Sequence, residues 1–507
     1  MTRFSGTLVN VYGNSDASSP LVVAELIGER AGGRVLLSNF PWYSTLIFAE
    51  ATKWLPAHRL VWEVGPFFLG LLSIALMSWA ALRVAGRWAA ALTAVILLCA
   101  GPGRLESMFW LTNHTPTWYS LALLAAFLVL ITDRSISIGW LSLTIITLFV
   151  GVIVGINVAT DKELLVSGLL PLLLAGIATW ALSRTALALK TMWFSLAVMA
   201  VIGVSAMSTT SIMHSAGVFG SGYPLTFASI EDLSTNTKAW WQSIAYLGNG
   251  GFFGAAITFT SLLELICAAL SVGLVFLIPR YTWRHISSWR SGGEPLSEQL
   301  SVYMMFWTAG MVCLSAGYIF SSAPIFPVTP EGTNYLVGIV YAVVAIVPLL
   351  ARSSVAMRGV VVAGTLVFLL NSVLALDHSS IADAPSPAIG PSPQVARDVA
   401  RTAEEMHATH GYGLYWDAAA ITWRANFRVL IAPIVGCPQG PTSLCPGPHD
   451  YLEEWYAARP RRTFVLTDTS VVAWAPPATL GRAIATRRFG TVTMYVYNYD
   501  VVEKLLE

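Results

Sequence analysis

Three stretches of this chain hold residues whose types and spacing could do chemistry. Asp16 stands near the start, in the turn-like Gly13-Asn-Ser-Asp-Ala-Ser-Ser-Pro20, and Asp161-Lys162-Glu163 stands between two strongly apolar runs. Between them, Gly101–Thr117 (GPGRLESMFWLTNHTPT) carries Arg104 and His114. A carboxylate can take the proton from an attacking hydroxyl, and a cation can stabilise a departing phosphate. Asp16 is the candidate for the first task, with Asp161 as the second acid. Arg104, His114 and Lys162 are the candidates for the second task. Each residue also has a plainer reading. Asp16 suits an N-cap or an Asx turn, and His114 suits a solvated loop. Asp161-Lys162-Glu163 suits a helix start whose acids complement the dipole, the reading favoured for Glu163.

The rest of the composition says where these residues must work. The chain has 507 residues, 55% hydrophobic and only 11% charged, with a mean hydropathy of +0.64. A soluble domain carries about a quarter charged residues, so this chain cannot cover a water-facing surface of its size. It reads as a polytopic membrane protein with the lipid bilayer as its solvent. The net charge of +1 argues against a nucleic-acid partner, which needs a basic patch. Met1 to Asn10 has no apolar core of the kind a cleavable signal peptide needs. Nineteen Trp and seventeen Tyr fit the aromatic belts of bilayer interfaces.

Roughly ten apolar runs follow the leading stretch, most near the ~17–25 residues of a membrane span. They are Phe67–Leu82, Trp88–Ala100, Trp118–Thr132, Gly139–Val158, Leu164–Leu182, Thr191–Thr209, Gly254–Ile278, Ser301–Phe320, Tyr335–Ala351 and Gly359–Leu376. The second and third are short enough to be tilted, broken or re-entrant. Connections after the odd-numbered runs hold Arg83, Arg87, Arg134, Arg184, Lys190, Arg280, Arg284, Arg290, Arg352 and Arg358. The opposite set holds only Arg104, Lys162 and Lys238. By the positive-inside rule the first set is cytoplasmic, which puts the leading stretch, the longer loops and the C-terminal tail outside.

The expected organisation is therefore an extracytoplasmic first loop (residues 1–66), a bundle of about ten transmembrane helices (67–376), a Pro/Ser/Ala linker (377–394) and an extracytoplasmic α/β domain (395–507). Asn39 to Trp62 is rich in aromatic residues and suited to lying along the membrane surface as an interfacial helix. The tail reads as helix Val395–His410, strand Gly413–Trp416, strand Arg428–Ile434, helix Tyr451–Ala458, strand Thr463–Thr467 and strand Thr491–Tyr497. Cys437 and Cys445 bracket PQGPTSL there and suit a disulfide in an oxidising compartment. The zinc reading is weaker, because this pair with His449 lacks a fourth ligand. Cys99, Cys267 and Cys313 fall in apolar runs and read as core packing.

This layout resembles the GT-C class of membrane glycosyltransferases, particularly actinobacterial-type members with a C-terminal extracytoplasmic domain. The residues that carry the likeness are Asn14-Ser15-Asp16-Ala17, Asn39-Phe-Pro-Trp-Tyr-Ser-Thr, Asp161-Lys162-Glu163-Leu164, Gly332-Thr-Asn-Tyr-Leu and Leu414-Tyr-Trp-Asp-Ala. The likeness covers nearly the whole chain, and none of these motifs is specific by itself. It implies transfer of a sugar from a polyprenyl-phosphate carrier to a glycan or lipid acceptor of the cell envelope, in the plasma membrane. Within it, an acid of the first outer loop is the catalytic base, which puts Asp16 in that role. The class carries a membrane helix ahead of that loop, and none is legible ahead of Asp16. No cofactor is called for, no metal-ligand cluster is legible, and a divalent metal requirement stays open.

A transporter or flippase of an envelope precursor is the rival class. Transporters place ionisable groups near the midplane, and Glu264, in Ser-Leu-Leu-Glu-Leu-Ile-Cys, reads as a midplane acid. A buried hydrogen-bonding group is the favoured reading of that acid. Trp240-Trp241 reads as an interface anchor rather than a sugar platform. The gathering of polar residues on one face favours an enzyme.

Overall fold

The computed structural model describes residues 15–27, 34–37, 42–98, 115–136, 138–220, 226–290, 298–322, 331–352, 354–378, 391–437, 440–447, 451–457, 460–470 and 474–505. Among these, eight helices are long and apolar enough to cross a membrane: His58–Ala85, Thr115–Thr132, Trp140–Val158, Leu165–Ser183, Ala186–Ser215, Phe259–Trp289, Glu298–Ile319 and Val355–Leu374. Two shorter apolar helices, Arg87–Leu98 and Val337–Leu350, complete the ten expected runs. The chain is a multi-pass membrane protein. The third run is a full span of 18 residues, so of the two expected to be short only the second is.

Thr115–Thr132 is the central helix, buried along its whole length except at Tyr119 and Leu130. Trp118 stacks on Tyr341 at 6.2 Å, and Tyr341 in turn meets Trp307 at 6.4 Å, tying three helices together. Gly151 and Gly155 let Trp140–Val158 lie directly on Ala186–Ser215. A Cβ at Gly155 would come within 2.6 Å of the Ser205 Cβ, so only a small-xxx-small face permits the approach. At the end away from the tail, Arg83 pairs with Asp133 at 2.6 Å and Arg134 with Glu298 at 2.9 Å.

The first span begins at His58, nine residues before the apolar run does. Residues 58–66 (HRLVWEVGP) look too polar for a span, but Arg59 and Glu63 find partners in the tail, Asn426 and Trp423, and Trp62 is fully buried.

The tail holds a six-stranded mixed sheet in the order β5-β4-β3-β7-β9-β8. Its strands are β3 His410–Leu414, β4 Leu430–Cys437, β5 Gly440–Pro446, β7 Thr463–Asp468, β8 Ala485–Phe489 and β9 Val492–Tyr497. β3 runs parallel to β4 and β7, and the other pairings are antiparallel. Helix Pro393–Glu405 starts on a Ser392 cap. The expected strand Gly413–Trp416 is displaced: β3 comes earlier, and Tyr415–Arg424 is a helix. Its opening Tyr-Trp pair favours strands by propensity, and packing overrides that preference. Gly411 sits where a Cβ would meet the Phe464 ring at 2.2 Å, which explains a glycine inside a central strand. The expected helix Tyr451–Ala458 resolves into a two-residue strand, β6 (Tyr451–Leu452), and one turn, Glu454–Ala457. Here a distant partner decides: β6 pairs with β1 (Val35–Leu37) of the leading segment, and β1 pairs with β2 (Val218–Gly220).

Asp417, in the first turn of the helix that follows β3, and Asp468, at the end of the adjacent strand β7, are 0% and 3% exposed. Asp468 accepts from the Ser470 amide at 2.8 Å and from its hydroxyl at 2.7 Å. Burial, and then the neighbouring Asp468 charge, push the Asp417 carboxyl well above the usual carboxylate range. An acid protonated when folded and ionised when unfolded stabilises fully below its unfolded pKa, and that stability is lost as pH rises through the folded pKa. Melting temperature should therefore fall as pH rises above about 4, and Asp417→Asn should flatten the slope. An unchanged slope in thermal melts of the variant would contradict this account.

Candidate functional site

The leading helix, Ser15–Leu26, packs at one mouth of the bundle. Leu21, Val22, Val23 and Ala24 are buried in a cluster shared with Trp62 of the first span and with Tyr412, Ala419, Trp423, Ile434 and Val465 of the tail. Tail helix Tyr415–Arg424 packs along the leading helix. Ala159, two residues before Asp161, and Met213, near the end of Ala186–Ser215, pack against the same cluster. The leading segment, the Asp161 turn and the tail thus meet at one end of the bundle. That is the side-sharing the Lys/Arg pattern demands of them.

Asp16 lies in the first turn of this helix, not in the turn its sequence suggested. The misreading came from Pro20, which stands inside the helix and leaves the Asp16 carbonyl without the amide donor four residues on. An acid there is favoured by the helix dipole. The Asp16 side chain lies outside the described residues, as do Arg104 and His114.

Helix Trp42–Thr52 follows. Tyr43, Leu46 and Ala49 bury one face in the shared core, while Phe48 and Trp54 beyond it stay exposed, Trp54 at 78%. The expected aromatic surface segment is thus half core and half exterior.

Asp161 is well described and buried. One of its carboxylate oxygens accepts from the Thr117 hydroxyl, and the other accepts from the Glu163 amide at 3.0 Å. The second contact is the Asx geometry that closes a tight turn. Below it, Asn157 donates to the Ser120 hydroxyl at 2.7 Å and to the Pro116 carbonyl at 3.3 Å. Asp161 is thereby fixed to the start of the central helix, the residues next in sequence to His114. Glu163 stands at a helix start, as expected, but only partly exposed. Burial first, and then the Asp161 charge, push its carboxyl well above the usual range. Residues Leu165–Leu169 form a π-turn immediately after it, a distortion common at functional sites. Lys162 is exposed. Thr117 and the burial of Glu163 were missed from sequence; the only signal was a hydroxyl at the first apolar turn of a helix.

Glu264 lies five residues into the helix that begins at Phe259, about 8 Å from its start at 1.5 Å per residue. That corrects the midplane expectation. Trp240 is buried, whereas Trp241 stays half-exposed beside Phe253 at 5.2 Å. Cys445 is disulfide-bonded, and Cys437 lies in β4 with its side chain outside the described residues. Cys267 and Cys313 are thiols in membrane helices. Among the described residues, no three His, Cys, Asp or Glu gather as a metal site.

An apolar cavity of about 420 Å³ opens between Phe259–Arg290, Val337–Leu350 and Val355–His378, lined by residues such as Leu247, Leu274, Val343, Val361 and Phe368. The loop above it is held close by glycines. A Cβ at Gly250 would come within 2.6 Å of the Ala268 Cβ.

Comparison with protein-family profiles and with curated protein sequences gives no match. Among solved structures, ArnT from Cupriavidus metallidurans bound to undecaprenyl phosphate superposes with a TM-score of 0.50 at 13% identity. The match covers 98% of this chain and 96% of that one. The chain has the GT-C fold. The same protein in its apo state gives a TM-score of 0.44 at 13% identity, over 96% and 93% of the two chains. The Archaeoglobus fulgidus oligosaccharyltransferase in complex with Zn and sulfate gives 0.44 at 11% identity, over 83% and 58%. At the level of fold, the GT-C resemblance read from the sequence is borne out.

Proposed function

We propose that this protein is a membrane glycosyltransferase that moves a sugar from a polyprenyl-phosphate carrier to a cell-envelope acceptor on the outer face of the membrane. The observation that carries the reading is the convergence of the Asp16 helix, the buried Asp161 turn and the tail at one mouth of a GT-C bundle. Outside the membrane there is no nucleotide-sugar pool, so a donor must arrive on a lipid, as the carrier phosphate bound to the ArnT structure illustrates. Asp16 takes the proton of the acceptor hydroxyl as the sugar's C1–O bond to the carrier phosphate breaks. Asp161, fixed by Thr117, is the second acid of the site. Arg104, His114 and Lys162 compensate the charge left on the phosphate. The apolar cavity offers room for part of the isoprenoid chain.

The transporter reading loses its motivation with Glu264 near a helix mouth. Deleting the gene should make an intact sugar-charged polyprenyl phosphate accumulate in extracted lipids. An unchanged lipid profile would count against the reading. The tail and the leading segment are extracytoplasmic in this account. Reporter fusions after Arg290 should report cytoplasm and those after Ser392 the outside. Both on one side would overturn the topology.

A further inference from the structure

We infer that Arg59 is a positioning residue that clamps the Asp16-bearing helix to both the first span and the tail. Arg59 sits in the first turn of the His58–Ala85 span. Its guanidinium meets Glu25, near the C-terminal end of the leading helix, at 2.7 Å, and donates with another nitrogen to the Asn426 side-chain oxygen. It also lies 4.7 Å from the Phe427 ring centroid and 5.8 Å from that of Trp423. One planar cation thus joins three elements distant in sequence, which only a delocalised fork of donors can do.

The surroundings serve the same geometry. Trp423 donates to Glu63, one helical turn beyond Arg59, at 3.0 Å. His58 meets Glu25 at 3.1 Å, and Lys53 donates to the carbonyls of Ala24 and Glu25 at 3.1 and 3.0 Å. Lys53 therefore satisfies the last carbonyls of the leading helix and complements its dipole.

The tail contributes a conformation that is costly to hold. Asn426 and Phe427 both adopt left-handed backbone, with φ of 55° and 61°. For a bulky residue such as Phe427 this is a genuine outlier. The consequence is that the Asn426 carboxamide and the Phe427 ring both face Arg59. Strain is thus retained at the point where the tail grips the leading helix.

The inference rests on the proposed function for its turnover arm alone. Arg59→Met keeps length and removes the fork. Misplacement of an acid by an ångström costs about 10²-fold in rate, so kcat should fall about 10- to 100-fold with KM for the carrier within about threefold. In hydrogen exchange, amides of Leu21–Leu26 should exchange at least about tenfold faster while bundle amides stay within about twofold. Arg59→Lys, which restores the Glu25 arm, should recover an intermediate rate. Unchanged exchange in Arg59→Met would overturn the clamp. Faster exchange with unchanged turnover would overturn the positioning role. If the native protein transfers no sugar, the proposed function falls and the exchange comparison alone decides the clamp. Should Arg59→Met fail to fold, Asn426→Gly, which the left-handed backbone at φ 55° accepts, removes only the tail arm. It must still speed exchange in Leu21–Leu26, and if it does not, the inference is wrong.

Discussion

Asp16→Asn is expected to leave the protein folded and nearly inactive. Asparagine keeps the size of the side chain and can still accept hydrogen bonds at a helix start, but it cannot take a proton. The loss of a general base is typically about 10²–10⁴ in rate, whereas loss of a cap costs ~0.5–2 kcal/mol of stability. Two roles compatible with the same sequence therefore predict different experiments. A base predicts collapsed product formation with an unchanged melting temperature. A cap alone predicts that both stay nearly unchanged, because asparagine caps a helix about as well as aspartate. The buried stretch Leu21–Ala24 keeps the helix packed against Tyr415–Arg424 whatever stands at position 16. Near-normal turnover in purified Asp16→Asn would move the assignment to Asp161.

Asp161 should be the second most sensitive position, with a different signature. It holds Thr117 and the Glu163 amide, and after burial its charge is what pushes the Glu163 carboxyl upward. Asp161→Asn keeps an acceptor but removes the charge, so activity should fall about 10- to 10³-fold, in the range of a lost electrostatic contact. Asp161→Ala should also lower stability by about 1–3 kcal/mol, because it strands a buried hydroxyl and an amide. Glu163→Gln, which mimics the protonated acid, should be well tolerated. Equal activity of Asp161→Asn and the native protein, measured as product formed per mole of protein, would remove Asp161 from the site.

The membrane architecture was legible because spans are local. Each apolar run reports its own burial, and all ten appear as helices. The Lys/Arg asymmetry placed the leading stretch, the 211–251 loop and the tail on one side. β1, β2 and β6 join those same three segments in one small sheet. What could not be read was set by partners far along the chain. The polar start of the first span is stabilised by Trp423 and Asn426, more than 350 residues away. β6 exists only because β1 waits for it. The burial of the Glu163 carboxyl was illegible because nothing local says that the turn ahead of it is sealed. Proximity of Asp161 to Thr117 likewise needed the packing of two helices. The tail read as a separate domain behind a linker, yet its helix Tyr415–Arg424 and the leading helix share one core. Composition changes mark where the solvent changes, not where a core ends.

The most direct test of the central claim uses purified protein in liposomes loaded with a sugar-labelled polyprenyl phosphate. A transferase breaks the bond between sugar and carrier, while a flippase moves the intact lipid. The account predicts that native protein, given an envelope acceptor, releases free polyprenyl phosphate and labels the acceptor, and that Asp16→Asn does neither. Relocation of the label to the opposite leaflet on an intact lipid, at equal rates in both proteins, would contradict it.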